Sequence, residues 1–272
     1  MLGQQPDALP MAGGTDLLVH WPAHAKAHGR TYIDLSKLTE LKRLTHAADG
    51  LRLGALTTYW DVITDAQAAR GYPLLIEAAR QVGAVQIQSR GTWAGNIANG
   101  SPAADGVPAL MALDACVELA SANGTRCVAL DKYYTGYRAS VKRPDELIAG
   151  ILIPRRGLDI SLFFKVGPRR AQAITKVGLA ITRETAGGKG SGAAQTPWRV
   201  VANSVAPTVR RCPEIEALLH SGAPVKSPDG FLAAAKKDIA PIDDIRSTSD
   251  YRMTVFCRLL YHALRGRAAG IN

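Results

Sequence analysis

The chain has 272 residues, enough for one large domain or two ordinary ones, and its 47% hydrophobic and 21% charged content excludes a disordered chain. Its formal charge of +10 is spread along the chain without a long basic run or interleaved aromatics, which points away from nucleic acid and toward an acidic partner or an anionic cofactor. Cys116, Cys127, Cys212 and Cys257 form no C-x-x-C pair and have no His at finger spacing, so no zinc site, iron–sulfur cluster or disulfide framework is expected.

In chain order, the first motif is MAGGTDLL over residues 11–18. Gly13 and Gly14 predict a sharp turn, Thr15 and Asp16 can cap the next element, and Leu17 begins an apolar stretch. It is not the G-x-G-x-x-G fingerprint. His20, His24 and His28 have helical spacing, but no acid or Cys stands beside them, so a solvated polar segment is expected rather than a metal face. Short strands are predicted over residues 31–35 and 50–55. A helix over residues 60–69 would be capped by Thr57 or Thr58. A second helix enters through Pro73, carries a stripe of Leu74, Leu75, Ala78, Ala79 and Val82, and stops at Gly83.

Residues 91–105, GTWAGNIANGSPAAD, read as a loop with a nearly bare backbone, whose N–H groups can approach a ligand closely. Thr92, Asn96, Asn99 and Ser101 add short neutral hydrogen-bonding groups, and Asp105 can accept from hydroxyls such as those of a ribose. A short buried helix is expected over 107–113, a hairpin over 116–130 turning at Asn123-Gly124, and a buried strand over 147–153 closed by Pro154. A domain boundary is placed at 154–157, dividing the chain into 1–157 and 158–272. The second half shows strands over 162–166, 176–183 and 198–205, with a loose Gly/Ala/Ser segment over 186–194. Helices come next over 213–220, 228–237 and 249–265, the last with Tyr251, Val255, Leu259 and Leu260 on one face and Arg252, Arg258 and Arg265 exposed. Strands and then helices predict an α+β fold.

No catalytic constellation emerges: G-x-S-x-G, H-E-x-x-H and P-loop motifs are all missing. Two small-residue segments, a downstream acid and scattered cations suit a bound pyrophosphate-bearing cofactor that itself does the chemistry. No apolar stretch of membrane-spanning length and no signal-peptide core occur, so a cytoplasmic protein without a membrane span is expected.

AGGTDLL (12–18) together with residues 91–105 resembles the two FAD-pyrophosphate loops of the medium, FAD-binding subunits of the molybdenum hydroxylases, the xanthine dehydrogenase and carbon monoxide dehydrogenase family. PDELIAGILIP (144–154), FFKVGPRRAQAITKVGLAI (163–181), SVAPTVRR (204–211) and PIDDIRSTSDYR (241–252) occur in the same order. The resemblance implies a para-cresol methylhydroxylase-type FAD-binding domain in two subdomains, then a smaller α+β C-terminal domain. It implies that Ala12, Gly13, Gly14, Thr15, Asp16 and Leu17 wrap the pyrophosphate and that Thr92, Gly95 and Asn96 form the second loop. Val82 would line the cofactor, Asp105 would hold a ribose hydroxyl, Ile148 would sit by the flavin, and Lys165 would reach the ring or ribityl region. With no His or Cys in either loop, the FAD would be non-covalent.

The implied activity is the flavin step of a molybdenum-dependent dehydrogenase, with xanthine-type dehydrogenases favoured. Molybdopterin and iron–sulfur clusters would lie on partner chains, and electrons would leave through the FAD to an external acceptor. The alternatives are a self-contained flavin oxidoreductase of the same fold and a flavin-free assembly module. Two departures stand out. Ala94 occupies a position that is usually Gly, tolerable only at negative φ. Only ten residues precede residue 11 where relatives have a strand and a helix, from which weaker FAD binding is expected.

Overall fold

A computed structural model describes residues 2–5, 7–19, 31–185 and 196–271. The three histidines at 20, 24 and 28 and the segment 186–194 lie outside the described residues. The chain divides into two compact units, one of residues 1–100 with 114–155 and the other of residues 101–113 with 156–272.

The first unit carries a five-stranded antiparallel sheet in the order Leu44–His46, Gly50–Gly54, Leu147–Pro154, Cys116–Ser121, Gly124–Ala129. Inward positions alternate along its three central strands: Leu51 and Leu53, Val117 and Leu119, and Ile151 and Ile153 are buried. The hairpin expected at Asn123-Gly124 is present, with Ser121 opposite Gly124. Of the two turn residues only Gly124 has positive φ (126°). Cys116 and Cys127, expected to be free, are joined as a disulfide. They sit eleven residues apart but diagonally across this hairpin, with Cα atoms 6.0 Å apart, a proximity that spacing alone did not reveal. A separate pair of parallel strands, Leu9–Met11 and Tyr32–Asp34, supports the residues immediately after position 11.

The helix expected over 60–69 is two helices, Tyr59–Thr64 and Ala66–Gly71. Asp65 leaves the helical region (φ −79°, ψ 112°) and its carboxylate instead caps the second helix, accepting from Ala68 N at 2.6 Å. Thr58 is the N-cap of the first, in a reciprocal capping box with Asp61. The apolar stripe after Pro73 forms the helix Pro73–Arg80, with Leu74, Leu75, Ile76, Ala78 and Ala79 buried.

The second unit has an antiparallel sheet of Leu158–Val166, Val177–Glu184, Trp198–Asn203 and Arg210–Arg211. The helix Gly106–Ala112, wholly buried, belongs with this sheet: Thr182 Oγ1 donates to Ala112 O at 2.9 Å and Asn203 Nδ2 to Ala104 O at 3.2 Å. Helices Pro213–Ser221, Leu232–Asp238 and Ser249–Leu264 cover a core that includes Leu179, Ile181, Val200, Phe231, Phe256 and Leu260. Two expectations for the last helix fail. Arg252 is buried, not exposed, and Tyr251 is exposed, not core, because Arg252 turns inward to pair with Asp244 and Ser204.

Candidate cofactor site

Both small-residue segments face one cavity of about 650 Å³ in the first unit, within the roughly 300–1,000 Å³ typical of cofactor sites. Ala12 to Leu17 line it from the first segment, and Gly91, Thr92, Ala94, Gly95, Asn96, Ala98 and Asn99 from the second. A third wall comes from Arg138, Lys142, Pro144, Glu146, Leu147 and Ile148, and apolar surface from Tyr59, Val82 and Ile87.

The first segment is bare because it must be. A Cβ on Gly13 would lie 1.8 Å from Arg90 O, so the backbone there rests directly on the start of the second segment. Gly14 has φ +71°, the left-handed region that disfavours side chains. The second segment is a helix rather than a loop. Thr92 caps Trp93–Asn99 by accepting from Gly95 N at 2.9 Å. The one large side chain of the stretch fixes this helix in place: Trp93 is fully buried, its ring 4.7 Å from that of Tyr59. Backbone bonds from Tyr59 N to Gly91 O and from Trp93 N to Thr57 O, each 3.2 Å, tie the same junction. Ala94 carries no backbone strain, since it lies inside this helix and not among the positive-φ residues. Asn99 Nδ2 donates to Asp16 Oδ1 at 3.0 Å, clasping one segment to the other.

The third wall was not read as part of the site from its own residues; Ile148 alone was placed there, through the resemblance. Its polar groups are held firmly. Arg126 grips Glu146 through Nε–Oε1 (2.6 Å) and Nη2–Oε2 (2.9 Å), and Arg143 N adds a bond at 2.7 Å. The Arg126 guanidinium, opposed by burial, holds the Glu146 carboxyl at about 2. Lys142 Nζ donates to the carbonyls of Arg143 and Glu146, both at 3.1 Å. Burial lowers its ammonium below the ordinary lysine value. Arg138 adopts φ +51°.

Of the thirteen residues implied to hold the cofactor, eleven line this cavity: Ala12, Gly13, Gly14, Thr15, Asp16, Leu17, Val82, Thr92, Gly95, Asn96 and Ile148. Asp105 and Lys165 do not. They are ion-paired in the second unit, Nζ to Oδ2 at 2.6 Å, with only 11% and 7% of their side chains exposed. Thr175 Oγ1 also donates to Asp105. Burial pushes the Asp105 carboxyl up, against the opposing pull of Lys165 and Thr175. The physical reason is that residues 101–113 fold with the C-terminal strands, which takes Asp105 out of the segment it adjoins in sequence.

The walls fit FAD. Backbone laid bare at Gly13 and Gly14, and short hydroxyl and amide groups at Thr15, Thr92 and Asn96, can surround a pyrophosphate. Tyr59, Val82, Ile87 and Ile148 can flank a flat apolar ring. Comparison with known proteins decides the matter. Residues 1–156 match the family described as "FAD binding domain in molybdopterin dehydrogenase", and residues 162–266 that described as "CO dehydrogenase flavoprotein C-terminal domain". The chain belongs to the FAD-binding subunits of the molybdenum hydroxylases.

Among its relatives, the chain is 30% identical over 258 residues to a xanthine dehydrogenase FAD-binding subunit of Escherichia coli O157:H7, covering 93% of this chain and 86% of that one. It is 28% identical over 268 residues to the carbon monoxide dehydrogenase medium chain of Hydrogenophaga pseudoflava, covering 97% and 91%. A solved structure of carbon monoxide dehydrogenase from Hydrogenophaga pseudoflava, in the form lacking the Mo-pyranopterin moiety, superposes with a TM-score of 0.84 at 27% identity, covering 98% of this chain and 91% of that one. This FAD subunit is accordingly an oxidoreductase flavoprotein, and relatives called subunits or medium chains imply partner chains. Among the described residues, no helix is long and apolar enough to cross a membrane, and no cluster of His, Cys, Asp or Glu could hold a metal.

Proposed function

We propose that this FAD subunit carries electrons within a molybdenum-dependent dehydrogenase, accepting them from iron–sulfur clusters on one partner chain and delivering them to an external acceptor. The molybdopterin centre, on another partner chain, would oxidise the organic substrate, with the xanthine-type class favoured by the relative at 30% identity. The complex would work in the cytoplasm. Bound flavin supplies the chemistry needed, because it can take electrons singly and release them in pairs.

The protein's own residues bind and orient. The observation that carries the reading is the convergence of two segments that are distant in sequence on a single cavity, where Gly14 and Gly13 leave the backbone bare and the Thr92-capped helix faces them. We assign FAD binding to the eleven lining residues and no catalytic acid or base to this chain. Glu146 is committed to Arg126 and Lys142 to two carbonyls, so each shapes the wall instead of moving a proton. Asp105 and Lys165 are assigned a structural ion pair in the second unit.

The test is Gly14→Val in the assembled complex. At φ +71° a β-branched side chain costs on the order of 1–3 kcal/mol and would distort the turn that lines the cavity. FAD content should fall below about a tenth of wild type with the circular dichroism spectrum retained. Substrate oxidation should persist with a dye that accepts electrons directly from the iron–sulfur partner and fail with the physiological acceptor. Full flavin content in the variant, or loss of both activities together, would refute the assignment.

A further inference from the structure

Four of the residues that line the cavity are charged: Asp16, Arg138, Lys142 and Glu146. Three of them have other partners. Asp16 is held by Asn99 Nδ2, and Glu146 by Arg126 and by Arg143 N. Arg138 is exposed, its guanidinium carbon 5.8 Å from the centre of the Tyr137 ring, where solvent screens it. Lys142 is half-buried, and its ammonium carries three N–H donors. Two go to the carbonyls of Arg143 and Glu146, both at 3.1 Å. Among the described residues the third has no partner, and no carboxylate is ion-paired with this ammonium.

A cation half out of water and answered only by carbonyl dipoles is incompletely compensated. Burial lowers it below the ordinary lysine value although the Glu146 and Asp145 carboxylates pull the other way. A negative charge arriving in the cavity would complete it. FAD offers two such charges, the pyrophosphate and the ring once reduced. The pyrophosphate has its own cradle at Gly13, Gly14, Thr15, Thr92 and Asn96. Lys142 is instead tied to the main chain of Glu146, at the head of the strand Leu147–Pro154, with Ile148 two residues further on. Two residues of extended chain span roughly 7 Å. The ammonium therefore stands at the end of the wall where Ile148 can flank a flat ring.

We propose that the Lys142 ammonium tunes the bound flavin, raising its reduction potential by meeting the negative charge that the ring gains. Two electrons with one proton leave the ring one net negative charge. A fixed cation in a partly desolvated wall lowers the free energy of that form and leaves the neutral oxidised form nearly untouched. Lys142 thereby favours electron entry from the iron–sulfur partner and moves no proton itself. The inference rests on the FAD reading and adds to it a residue that the resemblance does not assign.

The test uses the assembled complex at equilibrium with reference dyes of known potential, the flavin absorbance being taken as the difference from the same complex stripped of FAD. Lys142→Met keeps the length of the side chain and removes its charge. It should lower the equilibrium constant for flavin reduction about tenfold, which is about 30 mV for a two-electron couple, with FAD content and Tm retained. Lys142→Gln, also neutral but still able to donate to the carbonyls, should give the same fall and serves if the Met variant loses its fold. Lys142→Arg, which keeps the charge, should stay within about twofold of wild type. An unchanged potential in the neutral variants overturns the proposal, and so does an equal fall in Lys142→Arg, which would mark a loss of wall shape. A retained potential with FAD lost at least tenfold faster would place the ammonium on the pyrophosphate and overturn its assignment to the ring. Each of these outcomes strikes Lys142 alone, because the complex still binds FAD. A wild-type complex that binds none overturns the cofactor reading and this role with it.

Discussion

Glu146 shows how a residue in the cavity wall can be structural. Its side chain is 4% exposed and gripped by Arg126, which is about a third exposed (35%). The carboxyl is held at about 2, chiefly by Arg126. Because the folded value lies below the unfolded one, the pair's stability is present above the ordinary glutamate value and is lost as pH falls toward 2. Solvent around Arg126 screens part of this contribution. Glu146→Gln should therefore lower urea-unfolding stability at pH 7 by on the order of 1–3 kcal/mol, as for the loss of hydrogen bonds to a charged group. At pH 3 the difference from wild type should be clearly smaller, and a pH-independent difference would show that packing rather than charge is lost.

At the scale of elements, the connection over residues 166–176 carries Arg169, Arg170 and Lys176 with no acid among its eleven residues, a positive stretch that can draw in an anionic acceptor. The structure separates their roles. Arg169 folds back on its own loop, donating to Ala171 O and Gln172 O at 2.7–3.2 Å, with Gln172 in the left-handed region at φ +50°. Lys176 is drawn toward Tyr251, and Arg170 is exposed. Arg169→Ala with Arg170→Ala should slow reoxidation of the bound flavin by an anionic acceptor several-fold, with its reduction by the iron–sulfur partner much less affected. The loss should shrink as salt is raised, since exposed charges are screened. Stopped-flow measurement of the two half-reactions decides it, and an equal loss in both halves removes the loop from the acceptor side.

At the scale of the molecule, the charge of +10 has a kinetic consequence. Association with acidic partner chains should be electrostatically steered, so its rate constant should fall about tenfold or more between low and physiological ionic strength while the dissociation rate changes little. Surface plasmon resonance across a salt series measures both, and a salt-independent association rate would remove charge from the encounter.

Much was legible in the residues because the information was local. Gly13-Gly14 specifies a turn, Pro73 and the stripe after it a helix, Asn123-Gly124 a hairpin, and alternating apolar positions the strands. The small-residue composition of residues 12–17 and 92–96 likewise announced a backbone that a cofactor could approach. The features that only the tertiary structure decided are non-local. Trp93 reads as an oddity in a bare loop until Tyr59 meets it and turns the stretch into a docked helix. Asp105 lies only nine residues beyond Asn96, yet its segment packs with strands that begin more than fifty residues later, so it pairs with Lys165 and leaves the cavity wall. Arg252 reads as a surface cation on a helix until Asp244 and Ser204 draw it inside. Periodicity and turn chemistry report a residue's own backbone, whereas the partner of a buried charge is set by which segments the fold brings together.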